Sequence, residues 1–207
     1  MTHRWYQAGV EVYGGALLNS WLDRDLRFAG RLVVRGADGA PRSVLTSTGP
    51  VARIPQLAIH LDRSANDALS LDRQRHTQPV WGVGDAQDAD VLAVLAAAVH
   101  APAAGGAGEA SDPAARTAGS GTAPGTGTPT AEVPAVDPAD ILGYDITVAD
   151  TQAPELIGAQ QNLLASGRLD NLTTVHAGLR SLVENAEELE SAEHVSVFAA
   201  FDHEEVG

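Results

Sequence analysis

The sequence predicts an α/β protein in which a strand-rich region is followed by a strand–helix–strand unit. Short apolar runs bounded by glycine and proline fill residues 1 to about 100, a pattern typical of strands and hairpins. Apolar residues then recur at helical spacing between positions 172 and 183. An apolar run on each side of that helix, near 144–148 and at 194–201, completes an order that favours a mostly parallel sheet.

The clearest β-hairpin lies between residues 30 and 46. A strand-like run at 30–36 is bounded by glycines, and the Asp38-Gly39 pair that follows it is a strong turn signal. Residues 42–46 then provide the return strand. A further apolar run starts at residue 51, where Pro55 limits it to a sheet edge or to the start of a new strand.

Residues 101–138 are of low complexity. Ala, Gly, Thr, Pro and Ser dominate this segment, and large apolar side chains are almost absent. Such a composition cannot offset the entropy of ordering by burial, so we predict a surface loop after an Ala-rich helix at 88–100. Because a strand follows the segment directly, an expanded loop within one domain is favoured over a linker between two domains.

The amphipathic helix of the C-terminal region is predicted to begin at Asp170 or Asn171, since both residue types favour the N-cap position. The helix fades in the Glu-rich stretch 184–190 and is followed by the strand at 194–201. The apolar residues on one side of the helix are Leu172, Val175, Leu179, Leu182 and Val183.

Composition excludes several classes of function. Acidic residues number 27 against 13 basic residues, and the formal net charge of −14 argues against a nucleic-acid surface. Cysteine is absent, so any metal must be held by His and carboxylates.

The apolar stretch at 90–101 is shorter than the about 20 residues that cross a bilayer, and the start of the chain lacks a signal-peptide core. We therefore expect a soluble cytoplasmic protein without a membrane partner.

Three carboxylates have the placement that a paired zinc site requires. Asp170 opens the helix and could bridge two metal ions, while Glu204 and Glu205 directly follow the last apolar strand. One Glu could ligate a metal while its neighbour acts as general base on a water whose pKa the metal lowers. The plain alternatives are an N-cap Asp and a solvated Glu-Glu pair, and spacing alone leaves the choice open.

Longer motifs make the sequence similar to the M18 metallopeptidases, the aspartyl aminopeptidases. They occur in family order over nearly the whole chain, except for the low-complexity loop. The matching stretches are Val10-Glu11-Val12-Tyr13-Gly14-Gly15, Trp21-Leu22-Asp23-Arg24-Asp25-Leu26, Ala29-Gly30-Arg31-Leu32-Val33-Val34, Arg53-Ile54-Pro55-Gln56-Leu57-Ala58-Ile59-His60-Leu61, Ala149-Asp150-Thr151-Gln152, Arg168-Leu169-Asp170-Asn171-Leu172 and Asp202-His203-Glu204-Glu205-Val206-Gly207.

The resemblance implies a zinc-peptidase α/β catalytic domain interrupted by a β-rich dimerisation domain. Residues 1–147 resemble the inserted dimerisation domain and residues 148–207 resemble part of the catalytic domain. The resemblance implies two zinc ions per active site, with Asp170 as the bridging ligand and Glu205 as a terminal ligand. It implies Glu204 as the general base. His60 resembles the dimerisation-domain histidine that reaches the neighbouring subunit's active site, where it can bind substrate or stabilise the oxyanion. Its plain alternative is a His bonded within its own sheet.

The same resemblance implies peptide substrates with an N-terminal Asp or Glu, and a homo-oligomer built from dimers, up to a dodecamer. The chain departs from the family pattern, because the His-Thr-Asp motif expected before Val10 is absent and two later ligands are expected beyond Gly207. We therefore expect an internal piece of an M18 protein that is inactive alone. One alternative is a non-catalytic assembly module from a truncated or degenerate gene, and another is a related zinc peptidase with different specificity.

Overall fold

The computed structural model describes residues 4–100 and 135–201, with only the backbone described for His100. Among these residues, none of the helices has the length and apolar character that a membrane crossing requires. In chain order the strands and helices are β1 (Arg4–Gln7), β2 (Leu26–Arg35), β3 (Pro41–Ser47), β4 (Val80–Gly84), α1 (Val91–Ala97), β5 (Val99–His100), β6 (Ile141–Asp150), β7 (Glu155–Ile157), β8 (Leu163–Ala165), α2 (Leu169–Glu184) and α3 (Ala186–Glu190). The mixed α/β class predicted from the sequence is confirmed.

The chain divides into two compact units, each made of separated segments. Unit 1 comprises the described parts of residues 1–6, 26–52 and 81–149. Unit 2 comprises the described parts of residues 7–25, 53–80 and 150–207. The predicted boundary between a dimerisation region (1–147) and a catalytic region (148–207) stays a prediction.

Unit 1 is built on a four-stranded sheet with the strand order β5-β3-β2-β6. The predicted hairpin is confirmed, since β2 and β3 pair antiparallel with Leu32 opposite Val44. The Gly36 N–H donates to the Ala40 carbonyl at 2.8 Å, and Gly39 occupies the turn at a φ of +78°. Glycine adopts this left-handed conformation without a steric penalty, which is why the Asp-Gly signal located the turn correctly.

The strand β6 approaches β2 so closely that only glycine fits at position 30. Arg35 faces Asp140 at one end of the pair and the Thr147 hydroxyl donates to the Ala29 carbonyl further along, so the two strands run antiparallel. A Cβ placed on Gly30 would overlap the carbonyl oxygen of Asp145, and the φ of Gly30 is +158°. Hence the glycine at the start of the predicted hairpin is a packing requirement of the sheet.

The core of unit 1 lies on one face of the sheet. Alternate residues of β2 are buried, and α1, which is shorter than the predicted helix at 88–100, contacts the neighbouring strand β3. Asp90 caps α1 by accepting a hydrogen bond from the Ala93 N–H at 3.0 Å, and the Thr46 hydroxyl donates to the Leu95 carbonyl at 2.7 Å. The buried apolar residues of β2 and α1 are Leu26, Phe28, Leu32, Val34, Leu95 and Ala96.

A second, two-stranded sheet pairs β1 with β4. The Tyr6 ring lies over Gly82 and Gly84, where any Cβ would collide with it, and its centroid is 5.1 Å from that of Trp81. The Tyr6 hydroxyl donates to the Asp85 carbonyl at 2.5 Å. Burial, followed by the nearby Asp88 and Asp85 charges, raises the pKa of Tyr6. Tyr6 is therefore a neutral hydrogen-bond donor at physiological pH.

The C-terminal segments differ from the prediction in two respects. Among the described residues the strand pairs β2–β3, β3–β5 and β7–β8 are all antiparallel, so the mostly parallel sheet that we expected does not form there. No strand forms at 194–201 within the described residues, and Val195 is 88% exposed. A strand needs a neighbour for its backbone hydrogen bonds, and no described strand supplies one to this segment.

Candidate active-site residues

Two of the four predicted site residues lie in the described part of the chain. Asp170 is located at the start of α2, and His60 lies on a turn of the segment 53–80; both belong to unit 2. Glu204 and Glu205 lie outside the described residues, so the structure does not test their placement. Within the described residues, no three His, Asp or Glu side chains come close enough together to hold a metal ion.

Asp170 lies at a kink near the start of α2 and forms no side-chain capping hydrogen bond with a described residue. The capping position belongs to Arg168, which has a left-handed φ of 62° and no side-chain capping bond. Asp170 itself has non-helical dihedral angles (φ −82°, ψ 122°), and the bond between it and Asn171 is cis. Its carboxylate is exposed and forms no hydrogen bond or ion pair with a described residue.

His60 is presented by a tight turn at the surface. The Leu61 N–H donates to the Ala58 carbonyl at 2.8 Å, and the Asp62 N–H donates to the same oxygen at 3.2 Å. His60 is exposed and forms no hydrogen bond with a described residue. Residue 60 lies on this turn and outside the strands of the described residues, and the role of His60 stays a prediction.

The segment that carries His60 is closed at its base by backbone hydrogen bonds. Arg53 and Val80 exchange two of them, at 2.9 and 2.8 Å, so residues 53–80 form a loop with its ends joined. Leu22 forms a parallel bridge with Ile54, and Ile54 is buried. The turn bearing His60 thus projects from an anchored base.

A cavity of about 250 Å³ opens beside this base. Its lining is apolar at Leu22, Ile54 and Val80 and polar at Arg75 and His76. His76 has a structural role there, since its Nδ1 accepts a hydrogen bond from the Asp72 N–H at 2.9 Å. The backbone N–H groups of Arg75 and Gln74 in turn lower the pKa of the Asp72 carboxyl.

A polar cluster that sequence reasoning missed joins residues 126 positions apart. Arg24 forms an ion pair with Asp150, and Arg53 Nη2 lies 2.7 Å from Asp25 Oδ1. The Thr151 N–H and hydroxyl both donate to the Asp25 carbonyl, at 3.1 and 2.9 Å. Burial opposes ionisation of Asp150, but hydrogen bonds from the Gln152 N–H and Arg24 outweigh it and lower its pKa. The sequence shows charged residues at 23–25 and a single one, Asp150, in the stretch 149–152, and neither stretch indicates the pairing.

Comparison with known proteins gives a consistent result. The model of the family described as aminopeptidase I zinc metalloprotease (M18) matches residues 1–207. A probable M18 family aminopeptidase 2 of Streptomyces avermitilis is 42% identical over 207 residues, covering 99% of this chain and 39% of the relative. The chain therefore spans about two fifths of the length of that curated relative.

Solved structures show the same fold. The cryo-EM structure of the Ape4 and Nbr1 complex matches with a TM-score of 0.65 at 27% identity, covering 87% of this chain and 32% of the matched chain. The structure of the S. cerevisiae mApe1 dodecamer matches with a TM-score of 0.53 at 21% identity, covering 91% of this chain and 35% of the other. At that lower identity the likeness extends to the fold alone.

Proposed function

The chain belongs to the M18 family of zinc metalloproteases, and from this premise we propose that it is part of a zinc-dependent aminopeptidase that releases N-terminal Asp or Glu from peptides. Because the chain spans 39% of the length of its relative, activity and substrates are proposed for the whole protein. The observation that carries the proposal is the family match, and the exposed Asp170, which departs from helical geometry at the start of α2, is consistent with it.

The residues of this chain fit part of a zinc site. Asp170 offers an exposed oxygen ligand without a competing ion pair among the described residues, and carboxylate oxygens are accepted zinc ligands. We assign Asp170 as the bridging ligand and Glu205 as a terminal ligand. Zinc, when bound, supplies Lewis-acid polarisation of the scissile carbonyl and a lowered pKa of water. The remaining ligands of the proposed two-zinc site belong to the rest of the whole protein.

Glu204 has the role of proton carrier in this proposal. Its carboxylate takes the proton of the attacking water and passes it to the amine that leaves when the peptide bond breaks. Two adjacent Glu residues suit these two roles, because adjacent side chains point in different directions. One can act as the general base while the other binds a metal ion. We propose the acidic preference at the substrate's N-terminus from the resemblance to the aspartyl aminopeptidases.

His60 is proposed to act in a neighbouring copy of the protein. Its turn is flanked by three exposed apolar side chains, Leu57, Ile59 and Leu61, of which Leu61 is 75% exposed. An exposed apolar cluster around a polar side chain is a common feature of protein–protein contact sites. We propose that the turn inserts into the partner copy, where His60 binds substrate or stabilises the developing oxyanion.

We propose a cytoplasmic homo-oligomer built from dimers, with residues 1–147 as the assembly region and the particle a dodecamer at its largest. The mApe1 structure is described as a dodecamer, and its likeness to this chain supports the fold. The competing function is a non-catalytic assembly module. It is favoured by the exposed apolar side chains of Leu57, Ile59 and Leu61, which suit contact with another protein.

The first test of the proposed function is the variant Glu204→Gln in the full-length protein. We expect zinc content and oligomer mass to be unchanged and turnover of aspartyl and glutamyl peptides to fall by about 10²-fold or more, since the amide cannot accept the water's proton. Glu190→Gln, which removes an exposed carboxylate of α3, is the matched control and should retain activity. Near-normal turnover in Glu204→Gln would remove the role given to Glu204, and no turnover in the wild-type protein would favour the assembly module.

A further inference from the structure

A hydrogen bond from Asp23 holds the chain just before the turn that carries His60. Asp23 Oδ1 accepts from the Gln56 N–H at 3.1 Å, and the Asp23 N–H donates to the Ile54 carbonyl at 2.9 Å. The two bonds flank Pro55, which has no N–H to contribute. Asp23 therefore holds Ile54 through its backbone N–H and Gln56 through its side chain.

Asp23 adopts a backbone conformation that serves this contact. Its φ is 55°, in the left-handed region that few non-glycine residues enter and that Asp and Asn enter most readily. The preceding Leu22 forms the bridge with Ile54, so the left-handed bend comes directly after the bridge. The bend places the Asp23 carboxylate beside the Gln56 N–H.

The position of His60 depends on this restraint for a mechanical reason. The turn from Ala58 to Leu61 is closed on itself by two bonds to the Ala58 carbonyl, so it moves as one body. The exposed flanks of the turn, Leu57, Ile59 and Leu61, give it little packing within unit 2. The chain enters the turn through residues 56–57, and the bond to Asp23 restrains it at Gln56.

We infer that Asp23 is a positioning residue for His60: its carboxylate sets the direction of the turn that delivers the imidazole. The inference rests on the proposed function for the role of His60, but the restraint itself is a property of this chain. It extends the proposed site by one residue that acts through His60.

Two substitutions separate the hydrogen bond from the backbone bend. Asp23→Asn keeps an Oδ1 acceptor and tolerates the left-handed φ, whereas Asp23→Gly keeps the bend and removes the acceptor. In the 207-residue chain we expect amide order parameters at residues 57–61 to fall toward about 0.6 in Asp23→Gly and to stay at the wild-type value in Asp23→Asn. Asp38→Gly is the matched control, since Asp38 Oδ1 accepts from the Ala40 N–H at 3.1 Å in the hairpin of unit 1. Unchanged order parameters in Asp23→Gly would overturn the inference.

Kinetics of the full-length enzyme give an independent test. We expect Asp23→Gly to lower kcat by about ten-fold, because His60 is misplaced. Asp23→Asn should keep kcat at the wild-type value. In a His60→Ala background, Asp23→Gly should have no further effect, because the residue it positions is already gone. Additive losses would overturn the inference. If the wild-type protein has no aminopeptidase activity, the proposed function fails, while the order parameters still decide the role of Asp23.

Discussion

At the scale of single residues, Gly30 is the position where the sheet tolerates least change. The Asp145 carbonyl oxygen and the Ile146 Cα occupy the space of its missing side chain, and both are backbone atoms that cannot rotate away. We expect Gly30→Ala to destabilise the chain by about 2–4 kcal/mol, through strand displacement as well as backbone strain. Urea unfolding followed by circular dichroism measures this loss. Gly143→Ala is the control, because a Cβ there meets nothing within 4 Å, and equal stability of the two variants would contradict the close approach.

Residue-level electrostatics predict a loss of stability in acid. Hydrogen bonds to backbone N–H groups and to Arg side chains lower the pKa of Asp38 and Asp150, and backbone N–H groups lower that of Asp72. A carboxyl whose pKa is lower in the folded chain stabilises it above its ordinary value of about 3.9, and this contribution is lost as the pH falls through the folded pKa. We therefore expect the melting temperature to decline below about pH 4. Asp150→Asn should show a shallower decline over this range, and parallel curves for wild type and variant would contradict the contribution of Asp150.

At the scale of elements, Leu95 is the larger of the two side chains that α1 buries. Leu95 is 2% exposed, and its carbonyl accepts the hydrogen bond from the Thr46 hydroxyl. We expect Leu95→Ala to cost about 2–5 kcal/mol, because truncation leaves a cavity in a core that relaxes only partly. The control Leu142→Ala removes a side chain that is 47% exposed and should cost much less. Differential scanning calorimetry of the two variants distinguishes a buried α1 contact from a peripheral one.

The elements also show what local sequence can and cannot predict. The hairpin of β2 and β3 was predicted correctly, because Asp38-Gly39 encodes its turn within a few residues. The parallel sheet and the strand at 194–201 were wrong, because apolar periodicity says nothing about which neighbour a strand will find. β2 instead pairs with β6, more than a hundred residues later, and that partner cannot be read from either run.

Only those residues of the candidate site that lie in recognisable sequence motifs could be predicted. The resemblance identified Asp170 and His60 from stretches that surround them, and the family match supports that resemblance. Their roles stay predictions, as do those of Glu204 and Glu205. Asp23 could not be singled out from its motif, since its contact with Gln56 crosses 33 positions and depends on a left-handed bend. Roles that act through tertiary hydrogen bonds leave no local pattern in the sequence.

At the scale of the whole molecule, the large apolar side chains that unit 2 leaves exposed require explanation. Leu172, Leu179 and Val183, which the helical spacing predicted to share one side of α2, are each about half exposed or more. Leu156 and Leu164 of the β7–β8 hairpin are also more than half exposed. Soluble proteins rarely leave large contiguous apolar patches uncovered. This chain spans 39% of the length of its relative. In a whole M18 protein we expect other segments to pack against these exposed side chains.

This reasoning predicts the mass of the protein in its native source. We expect the denatured polypeptide to have a mass well above the 21.4 kDa of this chain, and the native particle to be a multiple of that larger mass. Mass spectrometry of the purified protein under denaturing and then native conditions measures both values. A denatured mass near 21.4 kDa would contradict the aminopeptidase proposal, because Asp170, Glu204 and Glu205 cannot complete two zinc sites alone. In that case the exposed apolar face of α2 would have to be covered by assembly of the short chain with itself, and only the native mass would exceed 21.4 kDa.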